Sequence, residues 1–596
     1  MANKKVSELT ALTYSDGTEE LIINDGGISK KITQADLLDC HHPTSTSSLG
    51  VGRLTLSVNT GGANTAVGYT ALRYNTTGER NTALGYRTLL NNTTGVRNVC
   101  VGHDTLANNT TGGYNTIMGY QAGYNSTTAS GNTVIGYQAF YYNTTGATNT
   151  AIGREALQKN TTGNDNVGVG YQALFSNTTG DYNVAIGKSA LYNNTTANNN
   201  NALGYQALYY NTTGSQNVAL GTTALLNNTT GIDNVGVGYQ ALYQNTTGNY
   251  NVAIGREAME NNTTARYCQA IGYRAMWSNT TGERNIAMGH SALYNNTTGA
   301  HNVALGYTAL TNNTTAIGNT ALGYQTLYSN TTGASNTAVG YLSMFDNTTG
   351  EHNIAIGRES LRKNTTGTYN SGLGRYALYW NTTGIQNTAI GINALRYSTT
   401  SDNNTANGVN SLFSNTTGSG NTAVGVTSMD SNTTGINNTA LGRSALDTTT
   451  TGSNNTGLGY NADASSATVS NEITLGDSAV TALRCNVTTI TSLSDERDKD
   501  NIQDLDAGLE FINNLRPVRF DWNMRDGGKV GVNDTGFIAQ ELQSAQQTTG
   551  VQIPNLVMDE NPDKLEAGYG TLVPVLVQAV KELTARVQQL EKQLQG

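Results

Sequence analysis

The chain has 596 residues and a formal net charge of −9; 68 residues are glycine, 5 are proline, 13% are charged and 37% are hydrophobic. That length excludes a single ordinary domain, and so few apolar and charged residues fit a low-complexity chain or a solenoid rather than a globular core. The acidic balance excludes a nucleic-acid binder that tracks the phosphate backbone, and the absence of any run of 18 apolar residues excludes membrane insertion. Cys40, Cys100, Cys268 and Cys485 lie far apart in no metal-ligand spacing, so four unpaired thiols and no metal or other cofactor are expected.

Residues 1–40 differ from the rest. They carry charges and two turn signals, Asp16-Gly17 and Asp25-Gly26-Gly27. Between these, Glu20 to Asn24 reads as a strand and Ser29 to Thr33 as its hairpin partner. Thr33 as N-cap, with Asp36 at the capping-box position, predicts a helical turn next. The opening MANKKVSELTALTYSDG has no apolar stretch of the secretory type, so synthesis in a cytoplasm is expected. The segment resembles the short N-terminal segments of phage tail fibres and spikes. That resemblance implies attachment to a virion tail or baseplate protein; a cap closing a solenoid is the alternative. Residues 41–63 read as a Ser/Thr-rich connector entering a degenerate first rung.

From Asn64 a strict repeat begins. One glycine recurs every 17 residues, as Gly68, Gly85, Gly102 and Gly119, through Gly221, Gly306 and Gly391 to Gly459, 24 times without insertion or deletion. The consensus is N-[TV]-A-[IVL]-G-Y-x-A-L-x-x-N-T-T-G-x-x. Loops tolerate length changes; an array keeps its phase when each unit stacks on the last. Asn149 to Gly153 typifies a short half-buried strand. Tyr171-Gln172-Ala173-Leu174 suits a second strand or one helical turn. In Asn143 to Gly146, asparagine closes a turn and glycine is expected to supply a positive φ. Each rung is expected to bury one Ile, Val or Leu, one Ala and one Leu. That is too little to offset roughly 1–2 kcal/mol of backbone entropy per residue, so neighbours along the axis and sister chains beside it are expected, in a homotrimer. Stacking at about 4.8 Å gives an array on the order of 115 Å. The N-x-A-[IVL]-G unit resembles the shorter head repeats of trimeric autotransporter adhesins, which implies a parallel β-roll.

Asn-Thr-Thr also matches the N-glycosylation sequon, but it recurs with the rung and reads as turn chemistry. Tyr69, Tyr86, Tyr137, Tyr171, Tyr205 and Tyr239 share one phase, which favours a structural ladder over a sugar-stacking surface. The variable pairs Glu79-Arg80 and Asp181-Tyr182 form the expected exposed edge. Glycoside hydrolysis needs two positioned carboxylates. Those of the repeats, such as Glu155, Asp165 and Glu257, are scattered, and no inserted domain breaks the phase. A polysaccharide-degrading spike is therefore the weaker alternative.

Strict phase ends near Gly459, with an echo at Asn471 to Gly476, so the shaft is placed at 64–476 and a linker at 477–493. Composition then becomes charged and helical. Four blocks follow: Ser494 to Ile502, Leu515 to Trp522, Gly536 to Glu541 and Tyr569 to Leu576. In this order they resemble the intramolecular chaperone domain of endosialidases and related phage fibres, the peptidase S74 family, over 494–596. The resemblance implies a domain that trimerises, templates the upstream β structure and cuts itself off with a Ser–Lys dyad, here Ser494 and Lys499. Asp495, Arg497 and Asn501, in the same block, are candidate supporting residues. A serine needs a base to attack, and a lysine serves as one only when burial or nearby cations favour its neutral form. Finally, Val573, Leu576, Val580, Leu583, Val587, Leu590 and Leu594 are spaced 3, 4, 3, 4, 3, 4, a heptad seam. A coiled coil over 573–594 is expected.

The fold class expected is thus mainly β: a trimeric elongated shaft of 17-residue parallel β-roll or β-solenoid rungs, with a C-terminal α+β chaperone. The function expected is a structural and adhesive virion fibre that meets a host cell-surface receptor, a glycan being one candidate. A non-cleaved trimeric surface adhesin is a further alternative, one that would call for a signal peptide and a membrane anchor.

Overall fold

The computed structural model describes residues 20–25, 28–33, 47–480, 483–484, 494–524, 530–559 and 565–595. Near the N-terminus the strands Glu20–Asp25 and Ile28–Thr33 pair antiparallel, Glu20 opposite Thr33, within a residue of the hairpin expected there. The helical turn expected after Thr33 falls outside the described residues, as do Cys40, Cys485 and most of the linker.

The chain divides into two compact units, Met1–Ser335 and Asn336–Gly596. In the first, strands of three residues run from Leu49–Val51 to Thr320–Leu322; in the second, from Thr337–Val339 to Ile473–Leu475. Together they are 26 parallel strands of a β-solenoid with 17-residue coils. Within each unit a strand pairs with the same segment one coil later, as Thr150, Ala151 and Ile152 pair with Val167, Gly168 and Val169. The echo at Asn471 to Gly476 is the last such coil.

The coil alternates direction in a way the sequence does not announce. Tyr-x-Ala-Leu is neither strand nor helix. In the coil starting at Asn149, Gly153 has φ 136°, and the non-glycine residues Glu155, Leu157 and Asp165 have φ of 57°, 50° and 55°. Each such residue costs about 1–2 kcal/mol in the left-handed region. What holds them is hydrogen bonding to both neighbouring coils. Glu155 N–H donates back to Tyr137 O (2.9 Å), Leu157 N–H forward to Ala173 O (2.9 Å) and Asp165 N–H back to Ala147 O (3.1 Å). A coil without neighbours keeps the strain and loses the bonds, so stacking is a condition of the local fold.

The interior is narrow and largely polar. Ala151, Ala156 and Leu157 are fully buried, but so are two asparagines in most coils. The Asn166 amide donates to Asn149 Oδ1 (3.1 Å) and to Gly180 O (2.8 Å). The Asn160 amide donates to Asn143 Oδ1 (2.9 Å) and to Gly163 O (3.0 Å). Two asparagine ladders therefore replace the apolar core of an ordinary sheet, and each satisfied amide avoids the roughly 1–3 kcal/mol cost of a buried unpaired group. The amide nitrogen of the Asn-Thr-Thr triplet is spent inside the ladder, out of reach of a glycosylating enzyme. The glycine of Asn-Thr-Thr-Gly, contrary to expectation, has no positive φ; Ala129, Ala197, Ala265 and Ala316 stand in its place elsewhere. The first threonine is fixed by its carbonyl: Thr93 O accepts from the N–H groups of Thr76, Thr77 and Gly78 (2.9, 3.1 and 3.2 Å) and from the Thr76 hydroxyl (2.9 Å).

A second expectation fails more instructively. The Ile, Val or Leu that ends each strand is not buried. It points outward, 46% exposed at Leu84 and 39% at Ile186. The buried strand residue is the central one, alanine in most coils, because the leucine of Ala-Leu crowds it: a Cβ on Gly168 would lie 3.3 Å from the Leu157 side chain. Where the central residue is larger, at Ile117, glycine stands in the leucine position as Gly123 and makes the room.

A few coils break the ladders. Ser126, Ser398 and Thr449 stand in one of them and Cys268 in the other; the Cys268 N–H still donates to Asn251 Oδ1 (3.0 Å) and its thiol to Gly282 O (3.2 Å). A thiol is a weak donor and acceptor, and burial pushes this one up to about 11, which keeps it protonated and unreactive. Cys268→Asn should restore the ladder and add about 0.5–1.5 kcal/mol of local stability, read as slower amide hydrogen exchange in residues 252–302; unchanged or faster exchange there would contradict the ladder's role. Cys100 is likewise free and buried.

Past the solenoid, the second unit holds a small α/β region. Helix Leu509–Asn513, helix Ala539–Thr549 and the start of helix Leu572–Gln595 enclose a core of Phe511, Leu542, Leu556, Leu572 and Val575. Gly550, at φ 69°, ends the middle helix in the left-handed conformation usual there. The hairpin Val518–Asn523 with Val530–Gly536 stands outside that core and leaves Val530 and Val532 exposed.

Candidate functional site

The first block of the C-terminal region opens with a tight turn between Ser494 and Lys499. Asp495 caps the 3₁₀ turn Glu496–Asp498, its carboxylate accepting from Arg497 N–H (2.9 Å). The Arg497 guanidinium also pairs with that carboxylate (Nε to Oδ1, 3.0 Å) and holds it below the usual range. The turn brings Lys499 back onto Ser494, where Nζ lies 2.6 Å from Oγ and 3.4 Å from the Ser494 carbonyl. The S-D-x-R-x-K spacing thus has a local physical reason: a capped turn between serine and lysine closes their side chains on each other. Asn501 lies beyond the turn with φ 53° and takes no part in the contact. Ser494 and Lys499 are both solvent-exposed in the single chain.

The other three blocks brace the domain. Arg516 pairs with Glu541, and the Tyr569 hydroxyl accepts from Phe537 N–H (3.1 Å). Glu582, on the same helix as the seam residues, has a task that the heptad spacing does not reveal. Its carboxylate accepts from Leu509 N–H (2.8 Å) at the start of a helix whose cap position is Gly508, without a side chain to do so. No spacing rule links residues this far apart.

The heptad seam falls on the 24-residue helix Leu572–Gln595. That helix turns Leu572, Val575 and Ala579 to its own domain, while Val573, Leu576, Val580, Leu583, Val587, Leu590 and Leu594 are exposed, the last at 87%. Their full burial would be worth on the order of 5–10 kcal/mol per helix. Among the described residues, no helix is long and apolar enough to cross a membrane.

On the solenoid, the tyrosine phase forms stacked ladders. Tyr69, Tyr86, His103, Tyr120 and Tyr137 follow one another with centroids 4.6–5.4 Å apart. Stacked rings face each other, so a sugar meets their edges rather than their faces. Arg154 continues the column between Tyr137 and Tyr171 (5.5 and 5.8 Å). The carboxylates weighed for glycosidase chemistry are tied up: Glu155 by Arg154 and Gln172, Asp165 by Thr148, and Glu257 by Arg274 and Arg256. The Arg274 guanidinium holds Glu257 below the carboxylate range, the reverse of what a general acid needs.

Residues 494–558 match the family model Peptidase_S74, the chaperone of endosialidase. No curated protein and no solved structure matches the chain. The chaperone domain, following a long β-solenoid, fits a protein of the tail-fibre or spike type.

Proposed function

We propose that this chain is the subunit of a homotrimeric virion fibre whose C-terminal domain drives assembly of the shaft and then cuts itself off at Ser494. One observation carries the reading: a domain of the endosialidase-chaperone family begins at the serine whose hydroxyl lies 2.6 Å from Lys499 Nζ. The open heptad seam supports association, since a helix with so long an exposed apolar strip is poorly suited to life alone in water. Three strands rather than two follows from the family's habit. Residues 1–40 then serve attachment to a tail or baseplate protein, and the shaft surface meets the host receptor.

Coupling cleavage to assembly has a physical use. A shaft whose template has been removed cannot retrace its folding route, and its persistence becomes a matter of unfolding rate rather than equilibrium. Leu583→Asp combined with Leu590→Asp puts two carboxylates into the seam. Native mass spectrometry should then show single chains where the wild type shows three. A trimer surviving both substitutions, or a wild type that is itself single, would remove the assembly role of the helix.

A further inference from the structure

We infer that the outer face of the solenoid strands, the column of aliphatic side chains that ends each strand, is where sister chains pack along the shaft. This deepens the fibre reading and rests on it, because the occupant is further copies of this same chain.

In the first unit the column runs from Val51 and Val67 to Leu322, and every coil contributes Val, Leu, Ile or Met. It is open to solvent, at 39% for Ile186, 42% for Leu220 and 46% for Leu322. The residue two before it, on the same face of the strand, is Thr, Val, Ile, Leu, Asn or Gln and never ionisable. One whole face of a 17-strand sheet is therefore uncharged, with an unbroken apolar stripe along it. Soluble proteins rarely leave apolar patches beyond a few hundred Å² open, and larger ones mark interaction sites.

The repeat selects the occupant. A partner that covers the stripe over its length must itself repeat at the coil spacing and be apolar and uncharged at each step. Another copy of this chain meets both conditions; a globular partner covers a few coils and leaves the rest wet. The other exposed columns suit self-association less. The tyrosine phase is interleaved with Arg154, Lys188 and Arg256, which would set like charges against each other. The second threonine of Asn-Thr-Thr, exposed in every coil of the unit, offers hydroxyls that water already satisfies. The tail helix bears a second open apolar strip on the same chain, so both surfaces call for the same kind of neighbour.

Thiol labelling tests this on the full chain. In a Cys40→Ser, Cys485→Ser background, Ile186→Cys and Leu220→Cys place thiols on the stripe, and Thr179→Cys and Thr213→Cys place them on the threonine column. All four side chains point away from the core, and circular dichroism checks that each variant folds. In the native protein, alkylation by a maleimide should be at least about tenfold slower at 186 and 220 than at 179 and 213, because access governs thiol reactivity; after denaturation the four should react alike. Equal native rates in a wild-type-like trimer would overturn the assignment of this face while leaving the fibre reading in place. Native mass of a single chain would overturn both, and the two failures are told apart by the mass measurement alone.

Discussion

Gly221→Ala should unfold the shaft locally, while Gly214→Ala, seven residues earlier, should be close to silent. Both glycines are crowded. A Cβ on Gly221 would lie 2.5 Å from Gly238 O, and one on Gly214 would lie 2.3 Å from Gly231 O. By space alone the two substitutions look equally bad. They differ in backbone: Gly221 has φ 139°, whereas Gly214 is not in the left-handed region. The chain has run this comparison itself, since alanine occupies the Gly214 position at 129, 197, 265 and 316 and stays buried there. Close contact at that position is relieved by a small shift of the coil. A φ of 139° admits no such relief for a residue with a Cβ, and the glycine of that phase recurs in all 24 repeats from Gly68 to Gly459. Strain of about 1–3 kcal/mol in the backbone adds to about 1–3 kcal/mol of overpacking. Because each coil is held by its neighbours, the loss should spread to the coils on either side. Hydrogen exchange across residues 201–255 and limited proteolysis are the measurements. Gly221→Ala should show rapid exchange and new cleavage sites there, and Gly214→Ala should match the wild type. Equal behaviour of the two would mean that crowding, not φ, sets the phase.

The contrast shows how the solenoid could be read from sequence and where that reading stopped. Its period was legible because two features allow no substitute over most coils: the positive-φ glycine and the ladder asparagines. The strand was legible from its β-branched residues. Which side of it faced inward was not, because a three-residue strand such as Thr150-Ala151-Ile152 has too little alternation to fix a face. The ordinary rule that the larger apolar residue goes inside then gives the wrong answer, because the leucine of Ala-Leu already fills the interior beside the central strand residue, as Leu157 does beside Gly168. The left-handed residues were invisible for a related reason. Glu155 and Leu157 are not glycine, and nothing local asks for positive φ there; the bonds that pay for it go to coils 17 residues away. In the C-terminal region the pairing of Ser494 with Lys499 was expected from the family resemblance of that block, and the seam was legible because its spacing of three or four along the helix is a short-range pattern. The cap that Glu582 places on Leu509 N–H was not.

Ser494→Ala should leave the chain at full length, and the wild type should release a C-terminal fragment of about 100 residues. Removing the attacking group or its base costs a serine hydrolase several orders of magnitude in rate, so Lys499→Met should fail in the same way. Denaturing gels with intact mass would read both, and a fragment persisting from Ser494→Ala would remove the hydroxyl from the reaction. The more discriminating variant keeps the dyad and loses the seam. In the single chain Ser494 and Lys499 touch but stand in solvent. Burial by sister chains is what would favour the neutral amine. Leu583→Asp with Leu590→Asp should therefore abolish release of the fragment even though both reacting side chains are untouched and close together. Cleavage by such a single chain at the wild-type rate would show that the 2.6 Å contact suffices, and that severing is not coupled to assembly.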